Sequence, residues 1–344
     1  MKFPLVVLFL LCLRPCMAAQ IFVAPNGNDA ANSTSAHPVA TPERAQTLAQ
    51  AVIKRGERVE VVLRAGTYEL RAPLAFSAAD SGTANAPVEW RAADGATVRL
   101  SAGRDVTGWR PVNDAAVRAK LDPASRDHIL ELDLKARGIT DYGEMNGGFS
   151  QQGSTGIEVF MDDAPLHISR YPNDGFITIT DVLGATPIDV RGHTGTKEGI
   201  IRVADPRVAR WVNEKDPRVM GYWFWDWADQ RQKVASIDPK TLTLTLAQPW
   251  QDMGYGKGQY FYGFNLLSEI DQPGEWYLDR DTGILYALPL GNHTPKRTMV
   301  SLLPGVVTMK DASHITLRGL TLEGARGDAA VLTNCENCAL IACT

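Results

Sequence analysis

Between residues 20 and 100 apolar and polar positions alternate in short runs broken by Gly, Pro, Asn and Asp, at 21–24, 59–63, 74–77, 88–91 and 98–100. Period-2 runs of this length predict strands. One stretch keeps a different period. Thr41 and Pro42 read as a helix cap and first helical residue, Ala45, Leu48, Ala49 and Val52 recur at helical spacing on one face, and Gly56 reads as a stop. The pattern predicts one amphipathic helix followed by a ladder of short strands, a helix that plugs the open end of a stack.

At the other end, residues 305–317 slide onto 329–341 so that Val307 meets Val331, Ile315 meets Ala339 and Leu317 meets Ile341, an offset of 24. Repeats of this size each expose an apolar face that only the next repeat covers, which predicts stacked coils. The middle reads differently. Asp238-Pro239-Lys240 joins 234–237 to the alternating 241–246, and Asp281-Thr282-Gly283 joins 276–278 to 284–286. Both are hairpin signals, so a β-rich insert, a sandwich or a barrel, is expected there. The expected division is a leader over 1–19, an N-terminal cap and first coils over 20–104, the insert over 105–300, and incomplete coils over 301–344.

The leader expectation rests on MKFPLVVLFLLCLRPCMAAQ, in which Lys2 precedes an apolar run and small residues near Ala18 offer a cleavage site. That is the form of a secretory signal peptide. A membrane-spanning helix needs about 20 apolar residues, so no permanent anchor is expected, and a secreted or periplasmic protein is. A lipid-attachment role for Cys16 fits poorly beside Arg14 and Pro15. Removing residues 1–19 leaves 33 basic against 39 acidic side chains, a formal charge of −6. Nucleic acid calls for a basic face, and this balance argues against it. The remaining cysteines, Cys335, Cys338 and Cys343, fall in the last ten residues. Buried thiols, a Cys335–Cys338 disulfide and a metal site are the readings, in falling order, since a structural zinc site needs four ligands. No paired-ligand spacing for a metal and no cofactor motif is found.

IFVAPNGND, the Thr-Pro helix start, VEVVLRAGTYEL (59–70) and APVEWRAADGATVRLSAG (86–103) together resemble the start of secreted right-handed parallel β-helix proteins that act on polysaccharides, the pectate-lyase-like superfamily. ISRYPNDG (168–175), LLSEIDQPGEWYLDRDTGILYALP (266–289) and HITLRGLTLEG (314–324) are similar to its bacterial glycoside-hydrolase-like members with a β-rich insert. The resemblance covers nearly the whole chain after the leader. It implies an all-β fold, a right-handed parallel β-helix (solenoid) with an N-terminal helical cap and a β-rich inserted domain. It also implies that further coils, and with them the reactive acids, would lie beyond Thr344, so no catalytic residue is carried over.

Hydrolysis of a glycoside needs two carboxyl groups roughly 5–10 Å apart, whereas a lyase needs a base and a cation beside a uronic carboxylate. Asp226, Asp229, Glu269, Asp271 and Glu275 stand near aromatic residues, although such acids are more often turn or solvated residues. Arg170 could clamp carboxylates or sugar hydroxyls; an interdomain ion pair is the plainer alternative. His193 could act as an acid or base, or be structural. The densest signal is GYWFWDWADQ (221–230). As a strand it would set Trp223, Trp225 and Trp227 on one face, a platform for sugar rings with Asp226 or Asp229 at the rim; a buried core strand and a protein-partner surface are the alternatives. The expected carbohydrate-binding set is Trp223, Trp225, Trp227, Asp226, Asp229 and Arg170. The expected function is a glycoside hydrolase acting on a neutral or mixed polysaccharide, with a polysaccharide lyase of the same fold or a non-catalytic glycan-binding or surface-attachment module as alternatives.

Overall fold

The computed structural model describes residues 18–149, 156–291 and 293–344; most of the expected leader lies outside them. The chain divides into two compact units, one of residues up to 102 with 304–323 and 328–344, the other of 103–303 with 324–327.

In the first unit the helix runs over Pro42–Ile53, with Pro42 in its first turn. The Thr41 hydroxyl accepts a hydrogen bond from the Arg44 amide at 3.2 Å, satisfying one of the free donors of the first turn. Ala45, Ala49 and Val52 are buried and the helix packs on Ala19–Val23 and Val59–Leu63. Three parallel sheets make up the rest. One holds Ala19–Val23, Val59–Leu63, Val88–Ala92, Ile315–Arg318 and Ala339–Ile341; the second Leu74–Phe76, Val307–Lys310 and Ala330–Thr333; the third Gly66–Glu69, Val98–Ser101 and Leu320–Glu323. Val307 pairs with Ala330 and Leu317 with Leu340, so the repeat is 23 residues and the sequence alignment slips by one. A one-residue slip exchanges the two faces of a strand. Val331, matched by residue type to buried Val307, instead stands beside Thr308 and is 41% exposed.

The second unit is mainly antiparallel. Its largest sheet is built on β1 (Ile177–Val182), β2 (Ile200–Val203), β3 (Arg218–Tyr222), β4 (Asp229–Asp238), β5 (Thr243–Leu246) and β6 (Tyr260–Phe264), in the order β6-β1-β2-β5-β4-β3, and β3 pairs back to β6. The result is a closed six-stranded barrel, which leaves no edge among these strands. Its interior holds Ile179, Ile201, Val219, Trp223, Leu244 and Phe261, with Trp211 from the 3-10 turn Pro206–Asn213. Gly263 on β6 makes room for that indole: a Cβ there would lie 2.4 Å from the Trp211 ring. The expected hairpin between 234–237 and 241–246 joins β4 to β5, its turn tied by the Asp238 carboxylate, which accepts from the Lys240 amide and the Thr241 hydroxyl. The hairpin of Glu275–Asp279 with Ile284–Ala287 belongs to a separate five-stranded sheet. Every residue of Glu275–Asp279 is buried, because Trp276 and Leu278 enter one apolar cluster while Tyr277 enters another with Ile270 and Tyr286.

The right-handed parallel β-helix expected for the chain is therefore corrected. The protein is all-β with little helix, but its described strands fall into seven short sheets, parallel pairing prevails only in the first unit, and the largest sheet is a closed antiparallel barrel. The expectation rested on a repeat seen near one end and on the resemblance, with a β-rich insert between the coils; the largest sheet falls in the stretch expected to be that insert and pairs antiparallel.

Candidate functional site

The aromatic run does not form the strand expected of it. β3 ends at Tyr222 and β4 begins at Asp229, so residues 223–228 are the loop between them, and strict alternation of side chains stops where the strand does. Trp223 turns inward and is 0% exposed. Its ring lies 5.7 Å from that of Phe261, and its Nε1 donates to the Gln230 carbonyl at 2.9 Å. The reading of three indoles on one face is corrected: Trp223 is core. Trp225 and Trp227 face outward with near-parallel rings, centroids 6.4 Å apart, and Trp227 is 54% exposed. The exposed Phe149 meets Trp227 edge-on at 4.8 Å, and His193 meets Trp225 at 4.6 Å. Asp226 is exposed between the two indoles. Asp229 opens β4 opposite Tyr222, and its carbonyl accepts from the Phe149 amide at 2.9 Å.

A second aromatic group lies on the outer wall of the barrel. Alternation along β6 buries Phe261 and leaves Tyr260 and Tyr262 outside. Tyr222 on β3 stands directly across from Tyr260, centroids 5.3 Å apart. Phe176, 44% exposed, meets Tyr260 at 5.0 Å and both Tyr222 and Tyr262 at 6.0 Å. Burial, and the nearby Asp226 carboxylate, raise the Tyr260 phenol above its ordinary value. The alternation YFYGF carried the signal for Tyr260 and Tyr262; Phe149 and Phe176, single residues in polar surroundings, gave none.

Arg170 ends this band. Its guanidinium carbon sits 3.8 Å from the centre of the Tyr262 ring, and its nitrogens donate to the carbonyls of Pro172 and Gly175 at 2.9 Å each. It makes no ion pair with a described residue. A cavity of about 410 Å³ opens beside it, lined by His167, Arg170, Asn173, Tyr262, Gln272 and Glu275 among others. Glu275 accepts from the amides of Arg170, Asp271 and Gln272 at 3.2, 2.9 and 2.9 Å. Burial pushes its carboxyl up to about 7 against the pull of those donors. Glu269 is fully buried and accepts from Arg207 at 2.6 and 2.8 Å and from Trp211 Nε1 at 2.9 Å. Asp271 accepts from Arg207 at 2.6 Å and Asn173 at 2.9 Å. These three acids are held by internal partners, whereas Asp226 and, beside Arg170 in the cavity wall, Asp174 are exposed. Among the described residues no group of three or more His, Cys, Asp or Glu could hold a metal ion, and Cys335, Cys338 and Cys343 are free thiols.

The sequence matches no protein-family profile and no curated protein. Among solved structures, one titled "Glycoside hydrolase" aligns at a TM-score of 0.66 and 19% identity, covering 90% of this chain and 51% of its own. A second, "The complex structure of XylC with xylose", aligns at a TM-score of 0.44 and 11% identity over 90% of this chain and 36% of its own. The chain thus shares the fold of the first structure and spans about half of that protein's length.

Proposed function

We propose that the protein is carbohydrate-active and that its second unit binds a neutral or mixed polysaccharide along the aromatic band running from Phe149, Trp225 and Trp227 through Tyr222, Tyr260 and Phe176 to Tyr262 and Arg170. The observation that carries this reading is the exposure of Trp227 and Phe176, at 54% and 44%, on a barrel with a well-packed interior. Large aromatic rings kept at the surface in clusters mark a binding site, and their apolar faces with polar edges suit the C–H faces and hydroxyl rims of sugar rings. Hydrolysis of glycosidic bonds is the reaction we assign to the whole protein, supported by the fold shared with a glycoside hydrolase. The leader-like residues 1–19 support action outside the cytoplasm.

A second reading, glycan binding without turnover, is favoured by the internal partners of Glu269, Asp271 and Glu275, since acids already satisfied by Arg207 and backbone amides are poorly placed to serve as a hydrolytic pair. Affinity electrophoresis through gels containing xylan, galactomannan or polygalacturonate, with reducing-sugar release measured on the same polymers, separates the two. Retention with sugar release supports hydrolysis, retention alone supports the binding module, and no retention on any polymer contradicts both.

A further inference from the structure

In the first unit the strands Ala330–Thr333 and Ala339–Ile341 pair with Val307–Lys310 and Ile315–Arg318 at an interval of 23 residues. The corner between them keeps that register. Ser313 bridges Glu336, the Glu336 amide donates to the Ala312 carbonyl at 3.0 Å, and the His314 amide donates to the Glu336 carbonyl at 2.9 Å. Cys335 therefore stands over Ala312 and Cys338 over Ile315, both of which are buried. The two corners turn in the same way, through Asp311 and His314 at φ of 53° and 54° and through Asn334 and Asn337 at 51° and 52°. Side chains three apart in a regular strand face opposite ways. The left-handed residue at 337, a conformation that Asn adopts more readily than most, breaks that alternation and turns Cys335 and Cys338 to the same inner side.

The two thiols lie within hydrogen-bond reach of one another. Each also donates to the coil beneath, Cys335 to the Met309 carbonyl and Cys338 to the Ala312 carbonyl, both at 3.5 Å. Cys343 donates to the Leu317 carbonyl at 3.5 Å, on the far side of the strand Ala339–Ile341. Three strand residues at about 3.3 Å each set it roughly 10 Å further on, beyond the roughly 7 Å between Cα atoms that a disulfide can span. We propose that Cys335 and Cys338 are a redox-active pair, the site at which a small disulfide donor such as oxidised glutathione leaves a disulfide across the corner. One thiolate attacks a sulfur of the donor, which forms a mixed disulfide and expels one donor thiol. The other thiolate then attacks the protein sulfur of that mixed disulfide, expels the second donor thiol and closes the new S–S bond. The pair loses two electrons and two protons, and the donor takes up both to become two thiols. Both cysteines are half-buried, so the donor reaches them in the folded chain. The link persists in an oxidising compartment and opens in a reducing one.

The test is exchange of the reduced, folded full chain with mixtures of oxidised and reduced glutathione, followed by acid quenching, alkylation and cleavage with trypsin. Cleavage after Arg326 releases residues 327–344, a fragment that carries all three thiols, and its mass and fragmentation give the linkage. The expected product is lighter by two hydrogens, linked between Cys335 and Cys338, and alkylated at Cys343. Cys343→Ser should keep that link, whereas Cys335→Ser and Cys338→Ser should each leave the fragment without a disulfide. Three alkylated thiols at the most oxidising ratio, a lasting glutathione adduct in place of the internal link, or a link from either residue to any other cysteine overturns the proposal. So does the same distribution of linkages in the urea-unfolded chain, because the pairing would then owe nothing to the corner.

Discussion

Trp223 and Trp227 lie four residues apart on one loop and have opposite surroundings: Trp223 donates to the Gln230 carbonyl inside the barrel, whereas Trp227 is 54% exposed beside Phe149. Their truncations should separate stability from recognition. Trp223→Ala is expected to lower unfolding stability by about 3–5 kcal/mol, as for other buried aromatic truncations, and Trp227→Ala to change it by about 0.5 kcal/mol or less, as for a surface position. Urea denaturation of both variants checks this, and equal losses would show that the loop is packed throughout.

The buried Glu269 depends on Arg207. Removing one partner of a buried pair leaves an uncompensated charge and typically costs about 3–5 kcal/mol, so Arg207→Met should destabilise the protein by about that much near neutral pH. Burial already raises the Glu269 carboxyl above its ordinary value, and without Arg207 the acid should hold its proton more firmly still. The destabilisation should therefore shrink at low pH, where Glu269 is neutral in either variant. A deficit that stays constant with pH would mean that Arg207 acts through packing alone.

Glu275 gives a second pH signature. Its carboxyl titrates at about 7 in the folded protein against 4.5 for an ordinary glutamate. Between those values the folded chain binds more protons than the unfolded one, so stability falls as pH rises through this window and levels off above it. The difference amounts to about 3 kcal/mol, with the three amides that favour the charged form already offsetting part of the effect of burial. Glu275→Gln should flatten this decline, as read from denaturation midpoints between pH 4.5 and 7.5. An unchanged slope in the variant would exclude Glu275 as its source.

Gly263 faces Trp211 at a distance that admits no side chain. Gly263→Ala should lower stability by about 1–3 kcal/mol through overpacking, and pairing it with Trp211→Phe should recover part of the loss. Additive losses in the double variant would mean that the two positions are not in contact.

Local patterns were legible where one rule governs. Thr41-Pro42 and the spacing of Ala45, Ala49 and Val52 placed the helix, and Asp238-Pro239-Lys240 placed the β4–β5 hairpin, because caps and turns are set by neighbours in sequence. Register was not. Matching Val307 to Val331 by residue type missed the ladder by one position, since a short apolar repeat scores almost equally well at 23 or 24. The closure of β3 onto β6 was not legible either: it joins residues about 40 positions apart, and nothing in either strand alone announces it. In the site, the density of GYWFWDWADQ was visible, but the turn after Tyr222 decides which indoles reach solvent. The tyrosine wall arises only when β3 and β6 pair, bringing Tyr222 to Tyr260.

The most direct measurement is the affinity of the full chain for the polysaccharide it retains best, compared with that of the double variant Trp225→Ala/Trp227→Ala. Aromatic stacking contributes through the half-buried Trp225 and the exposed Trp227, and a loss of about tenfold or more is predicted with an unfolding midpoint close to that of the parent protein. Affinity equal to that of the parent protein, in a variant that is folded, would contradict a glycan site on this band.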